Sequence, residues 1–252
     1  MTPSVLPGAE DWSAPGGRAG ALVIHGFTGC PQSMRGLAEA FAAAGLAVEL
    51  PRLPGHGTTV EDMATTGWAE WSGAVEAAYR DLAARCDRVV AAGLSMGGTL
   101  AAWLGAHHPE LAGLVLINAA VGMGDEELRK GLEEMLSQGI ELMPGVAGDI
   151  ADPDSKELGY DQVPVRSLLS LGEAMVDLEA RLSDIRCPVL ILNSPQDHVV
   201  PPAASDRLAT SVSGPVERVT LERSYHVATL DYDKDLIERT AVEFARRVTS
   251  PA

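Results

Sequence analysis

Short unbroken apolar runs take turns along this chain with stretches whose apolar residues recur every three or four positions. Ala21-Leu22-Val23-Ile24-His25, bounded by Gly20 and Gly26, predicts a buried strand. Pro31 opens a helix with Met34, Leu37, Ala38 and Phe41 on one face and Gly45 at its close. Leu46 to Leu50 predicts the next strand, and Pro51-Arg52-Leu53-Pro54-Gly55-His56-Gly57 is too rich in Pro and Gly for anything but a loop. A second helix carries Trp68, Trp71, Val75, Ala78 and Leu82 on one side. Val89 to Ala92 then predicts a strand, a helix runs from Thr99 to about His107, and Leu114 to Asn118 is another strand.

After Asn118 the rhythm breaks, and no strand pattern appears between Val121 and Asp184. Asp125 is placed to cap a helix with apolar positions Leu128, Leu132, Met135 and Leu136. A second amphipathic stretch from Pro164 carries Leu168, Leu169, Leu171, Met175, Leu178 and Leu182. These are either ordinary surface helices or a helical lid over the carboxyl ends of the strands, and the lid is the expectation. The rhythm resumes with Cys187 to Leu192, a short helix opened by Pro201 and Pro202, and a last strand from Val216 to Leu221. A final helix turns Leu236, Ile237, Ala241 and Phe244 toward the core. Continuously apolar strands alternating with helices imply a mostly parallel sheet covered on both faces. The expected organisation is an α/β core from residues 1–120 and 187–252, interrupted by an insertion at 121–186. There is no internal repeat.

Charge narrows the partners. The net charge of −16 argues against nucleic acid and against an anionic membrane surface. From Gly124 to Asp161 there are 11 acidic and 3 basic residues, a net −8, which by itself reads as a solvated face. No secretory signal and no apolar run of transmembrane length is evident, so a cytoplasmic protein is expected. Cys30, Cys86 and Cys187 are scattered without metal-ligand spacing and fit reduced thiols; no metal or cofactor is expected. The oligomeric state is not encoded in any recognisable pattern.

The stretch Arg88 to Trp103 concentrates the chemistry. Its apolar run stops at Gly93, passes through Leu94-Ser95-Met96-Gly97-Gly98 and enters a helix, so a serine stands at the apex of a strand–turn–helix bend. Gly93 and Gly97 remove the Cβ atoms that would clash there, and the helix N-terminus behind favours negative charge. This is a nucleophile elbow, the signature of the α/β-hydrolase fold, though G-x-S-x-G is short enough to need supporting context.

That context is an acid, a base and an oxyanion hole. Asp197 lies just past one strand and His226 just past the next, so a parallel sheet delivers both to the edge that presents Ser95. The order Ser95, Asp197, His226 is the α/β-hydrolase order. A serine hydroxyl becomes a nucleophile when a neutral imidazole takes its proton, and the imidazole needs an acceptor for its other N–H. His198 adjoins Asp197, and adjacency on a turn splays side chains, which favours His226. Met96 would supply one oxyanion N–H and Phe27 the other, with Gly26 letting that loop turn. His25 and His56 are expected to support this loop, and His107 and His108 to end a helix.

HGFTG, PRLPGHGT, GLSMGGTL, INAA, KELGY, QDHVVPP and SYHVATLDYD together resemble the bacterial monoacylglycerol lipases, with bacterial carboxylesterases of similar size nearby. The similarity runs from about Pro7 to the C-terminal helix. Tyr225 stands where α/β-hydrolases in general have Gly, in keeping with the narrower family. The resemblance implies a cofactor-free serine hydrolase acting on a small neutral lipid ester, with Ser95, Asp197 and His226 as triad and Phe27 and Met96 as oxyanion donors. It also implies that Glu157 contacts the glycerol hydroxyls and that Val146 is an apolar lid residue, although Met143 to Asp149 departs from the family pattern. Leu128, Leu132, Leu168, Leu169 and Met175 would line an acyl tunnel. A generalist carboxylesterase is the alternative. A thioesterase would want a basic patch for nucleotide phosphates, a non-catalytic binding member would not need the intact set, and dehalogenase chemistry would want a carboxylate at position 95.

Overall fold

The computed structural model describes residues 3–123, 126–145 and 147–250. Strand β1 (Trp12–Ala14) and strand β2 (Ala19–Ile24) come first, and a 3-10 turn at Pro31–Met34 leads into α1 (Arg35–Ala43). Next are β3 (Ala47–Leu50), α2 (Val60–Met63), α3 (Trp68–Ala83), β4 (Arg88–Leu94), α4 (Met96–His107) and β5 (Gly113–Ile117). An excursion then carries α5 (Glu126–Ser137), β6 (Leu142–Pro144), β7 (Gln162–Pro164) and α6 (Val165–Glu179). The chain returns through β8 (Val189–Asn193), α7 (Ala203–Ser211), β9 (Val216–Thr220) and α8 (Lys234–Thr249).

Seven strands form one sheet in the order β1-β3-β2-β4-β5-β8-β9. Only the β1–β3 pairing in it is antiparallel. After β3 the chain crosses back over β2 to β4, so the strand order reverses between β2 and β4. The crevice at the carboxyl ends of those two strands is where ligands bind in open α/β sheets. Successive residues of the central strands feed opposite layers of core. Leu22 and Ile24 join Trp71, Leu100 and Leu208 on the α3, α4 and α7 side. Ala21 and Val23 join Phe41, Ile237 and Phe244 on the α1 and α8 side. This two-sided burial is why the strands read as unbroken apolar runs.

Three features depart from what the sequence predicts. The expected strand-free excursion contains β6 and β7, paired antiparallel; three-residue strands ending in Pro144 and Pro164 are too short for alternation to register. The brief β1 and α2 were missed for the same reason. The elbow strand runs on through Gly93 to Leu94, since β4 pairs with β5 as far as Leu94–Ile117. Asp125, expected as a helix cap, lies outside the described residues. Among the described residues, no helix is long and apolar enough to cross a membrane.

The start of α4 is packed backbone to backbone. A Cβ on Gly93 would fall 2.1 Å from the Gly97 carbonyl oxygen, and one on Gly97 would fall 2.2 Å from that of Ile24. Neither neighbour can yield without moving the first turn of α4 or strand β2, so these positions favour glycine strongly. Gly97→Ala is expected to cost about 1–3 kcal/mol through overpacking, a fall in Tm of roughly 3–10 °C for a domain of this size, with activity lost in parallel. Thermal melts of the variant and wild type measure it, and an unchanged Tm would mean that the helix start has slack.

Candidate active site

Ser95 sits between β4 and α4 with φ 55° and ψ −121°, a conformation rare for a residue with a side chain. Backbone bonds on both sides hold it there. Its N–H donates to the Ile117 carbonyl (3.0 Å), and its carbonyl accepts from Thr99 (3.1 Å) and Ala120 (3.3 Å). The Thr99 hydroxyl closes the turn on the Ala120 carbonyl at 2.7 Å. Met96 is the first residue of α4, so its N–H has no intrahelical carbonyl to meet. Among the described residues, the N–H groups of Met96 and Phe27 are paired with no protein acceptor.

The Phe27 loop turns at Thr28, which has φ 62°, and not at Gly26 as expected. The Thr28 hydroxyl donates to the Phe27 carbonyl (2.6 Å), and the Thr28 carbonyl accepts from Tyr160 N–H (3.1 Å). That side-chain bond is a local substitute for backbone pairing, which is how a threonine tolerates the left-handed region. His25 braces the loop from beneath. Its Nδ1–H donates to the Gly26 carbonyl (2.9 Å) and its Nε2 accepts from Leu53 N–H (3.1 Å), a pairing that fixes the neutral tautomer. Burial pushes the His25 pKa down to about 4. His56 is pushed down to about 3, by burial first and then by His25 beside it. The rings of Phe27, His56 and Trp71 meet edge to face, with Phe27 and Trp71 centroids 5.7 Å apart.

At the other side of the crevice, Asp197 and His226 come together as the sequence suggested. His226 Nδ1 donates to Asp197 Oδ2 at 2.8 Å, leaving Nε2 as an acceptor. Asp197 Oδ1 is fixed by Val199 N–H (2.8 Å) and Val200 N–H (2.7 Å), and the side chain is only 2% exposed. His198 turns away and pairs with Asp149 at 2.8 Å. His107 donates to the Trp103 carbonyl, while His108 bridges Glu76 and Glu110.

Three buried polar residues without an assigned role in the sequence reading hold these loops. The Asn118 amide donates to the Ser194 hydroxyl and to the carbonyls of Tyr225 and His226, and its oxygen accepts from Ser194 N–H. Asn118 has φ 41°, a strained position at the carboxyl end of β5. The Asp231 carboxylate accepts from the N–H groups of Ala151, Asp152, Tyr225 and Tyr232. The Tyr160 hydroxyl accepts from Thr58 N–H and donates to the Gly55 carbonyl. Their presence in INAA, SYHVATLDYD and KELGY was the available signal.

A cavity of about 270 Å³ lies where these parts meet. Ser95, Met96, Phe27, His226 and Glu157 line it at the polar end. Glu157 Oε2 accepts from Gly148 N–H at 3.0 Å, and burial raises its pKa above the ordinary carboxylate value. The rest of the wall is apolar and comes largely from the excursion. Of the five expected tunnel residues, Leu128, Leu168 and Met175 line it. Leu132 and Leu169 instead face a separate small gap between α5 and α6. Val146 lies outside the described residues. The Cys30 thiol, bonded to the Leu158 carbonyl at 3.3 Å and pushed up to about 11 by burial, is no competing nucleophile.

The chain is similar to known proteins over nearly its full length. It is 46% identical over 244 residues to the thermostable monoacylglycerol lipase of Bacillus sp. (strain H-257), covering 95% of each chain. It is 25% identical over 235 residues to a carboxylesterase of Bacillus subtilis (strain 168), covering 92% of this chain and 94% of that one. A solved structure from the metagenome-derived lipolytic enzymes LipS and LipT superposes with a TM-score of 0.92 at 43% identity, over 97% of this chain and 100% of that one. The serine aminopeptidase S33 family model matches residues 17–233, from the approach to β2 through the loop that carries His226, and the chain is a serine hydrolase of the α/β-hydrolase fold that belongs to this family.

Proposed function

We propose that this chain hydrolyses monoacylglycerols to glycerol and fatty acid. The observation that carries the reading is the composition of one cavity: Ser95, His226 and Glu157 share a polar end, and apolar walls from Leu168, Leu171 and Met175 continue from it. A single acyl chain fits the apolar wall, and a glycerol head fits beside the carboxylate. The 46% identity to a monoacylglycerol lipase supports the same assignment.

In this reading His226 Nε2 takes the Ser95 proton as Oγ attacks the ester carbonyl. Asp197 holds the Nδ1–H tautomer and stabilises the imidazolium. The oxyanion forms between the Phe27 and Met96 N–H groups, aided by the α4 N-terminus. Collapse returns the proton to the departing glycerol oxygen and leaves an acyl-Ser95 ester, which water cleaves by the same steps. Residues 121–186 act as the lid that keeps bulk water from the acyl chain. Glu157 accepts a hydroxyl of glycerol. Three free cysteines suit a reducing, cytoplasmic setting.

Glycerol release from a medium-chain monoacylglycerol, set against the matched di- and triacylglycerols and an aryl ester, tests this. Preference for the monoacylglycerol is expected, with Ser95→Ala lowering every rate by at least about 10⁴-fold. Glu157→Ala should raise KM for the monoacylglycerol about tenfold and leave the aryl ester within roughly twofold. Aryl-ester turnover with negligible glycerol release would make the chain a general carboxylesterase.

The raised pKa of Glu157 has its own signature. Its ionised form is disfavoured in the folded state, so stability present below its unfolded pKa is lost as pH rises through the folded value. Glu157→Gln removes that loss, and is expected to raise Tm near roughly pH 8 but not near pH 4. Melts showing the same shift at both values would refute the burial cost.

A further inference from the structure

The acidic excursion places one carboxylate against the loops of both the acid and the base. Asp149 Oδ2 accepts from the main-chain N–H of His226 (3.1 Å) and of His198 (3.2 Å). Its Oδ1 pairs with His198 Nδ1 at 2.8 Å, and its own carbonyl accepts from Val227 N–H at 3.0 Å. Four hydrogen bonds accepted by one residue therefore come from His198, His226 and Val227. His198 is further held edge to face on Tyr225, with ring centroids 4.6 Å apart. Asp231 takes the N–H groups of Ala151 and Asp152, just beyond Asp149, together with that of Tyr225. The base of the excursion and the histidine loop are thus stitched into one unit, and the Asp149 side chain is only 16% exposed within it.

We propose that Asp149 is a positioning residue for the reaction, setting the His226 imidazole against Asp197 from the side of the excursion. The proposal rests on the assignment of Asp197 and His226 as acid and base. Asp197 is fixed by its own loop through Val199 and Val200. His226 has no such local support for its N–H, which goes to Asp149. The position of that main chain sets the reach of Nε2 toward Ser95, and errors near an ångström in such a reach cost orders of magnitude in rate. The role is geometric, and the chemistry of the carboxylate separates it from a role of charge. In Asp149→Asn the amide oxygen accepts from the same two N–H groups, and its NH₂ donates to Nδ1 of the other His198 tautomer. In Asp149→Glu the charge is kept and the acceptor is displaced by one methylene.

Steady-state kinetics on an aryl ester, which has no glycerol to bind, compare the two variants, with folding checked by circular dichroism. Asp149→Asn is expected to hold kcat within about threefold of wild type, and Asp149→Glu to lower kcat about tenfold or more with KM within roughly threefold. The downfield proton resonance of the Asp197–His226 pair should move in Asp149→Glu and stay in Asp149→Asn. Should Asp149→Glu not fold, Asp149→Ser draws the acceptor out of reach and carries the same expectation. Wild-type kcat in the displaced variant, or an equal loss in Asp149→Asn, overturns the proposal. His226→Ala is measured beside them. If it keeps turnover, the base assignment falls and this proposal with it; if it is inactive, a failure of the Asp149 pattern belongs to Asp149 alone.

Discussion

The first turn of α4 lies so close to β2 and β4 that no side chain fits between them, and the carboxyl edge of the sheet is laid out from that contact. Packing at this distance forces Ser95 into a left-handed conformation and points it away from the sheet. Its N–H and carbonyl are claimed by Ile117 and Ala120, so the end of β5 is locked to the same turn. With the Ser95 main chain fixed, Asp197 and His226 are carried to the same edge on loops. The strain is tolerable because regular structure on both sides over-determines the turn.

The loops are held by buried polar groups, most of them hydrogen-bonded; Arg52 Nε, His56 Nε2 and Thr229 Oγ1 are the exceptions among the described residues. Asn118 joins the end of β8 to the histidine loop through one amide, and Asp231 accepts four main-chain N–H groups while wholly buried. A buried amide or carboxylate left half-paired would be a large cost, and a fully paired one fixes a unique arrangement. In the Phe27 loop His25 follows the same rule with both ring nitrogens paired, whereas His56 pairs only Nδ1, and burial lowers the pKa of both. The excursion is part of this scaffold, since Tyr160, Asp149 and Glu157 all reach inward from a segment dominated by acidic residues.

Much of this was legible in the residues. Two-sided burial gives Leu22–Ile24 and Leu114–Ile117 their continuous apolar character, and the 3.6-residue period places Trp71, Val75 and Leu82 on one face of α3. Asp197 and His226 were expected together at the edge of Ser95 because topology sends strand ends there, and the two side chains do pair. The rest was hidden for physical reasons. The β6–β7 ribbon is too short for a period to show. Thr28 takes the positive φ beside a glycine that does not, because a side-chain hydrogen bond offsets what sterics disfavour. The acidic stretch reads as a solvated face, and nothing local distinguishes Asp149 or Glu157, which turn inward, from Glu133 or Glu134, which do not. Inward orientation is decided by partners scores of residues away, such as His226 for Asp149.

Helix α5 stands apart from this density of bonds. Leu132 is its one buried residue among those described, and its main packing partner is α6. It nevertheless contributes Leu128 to the cavity wall. The molecule is therefore divided into a part that cannot vary without disturbing the Ser95 turn and the Asp197–His226 pair and a part that can drift. Substitutions along α5 change the shape offered to an acyl chain while leaving the serine turn, the histidine loop and their supports untouched. In an evolving lineage, such a helix lets the cavity wall diverge while the bonded loops around Ser95 and His226 are inherited intact.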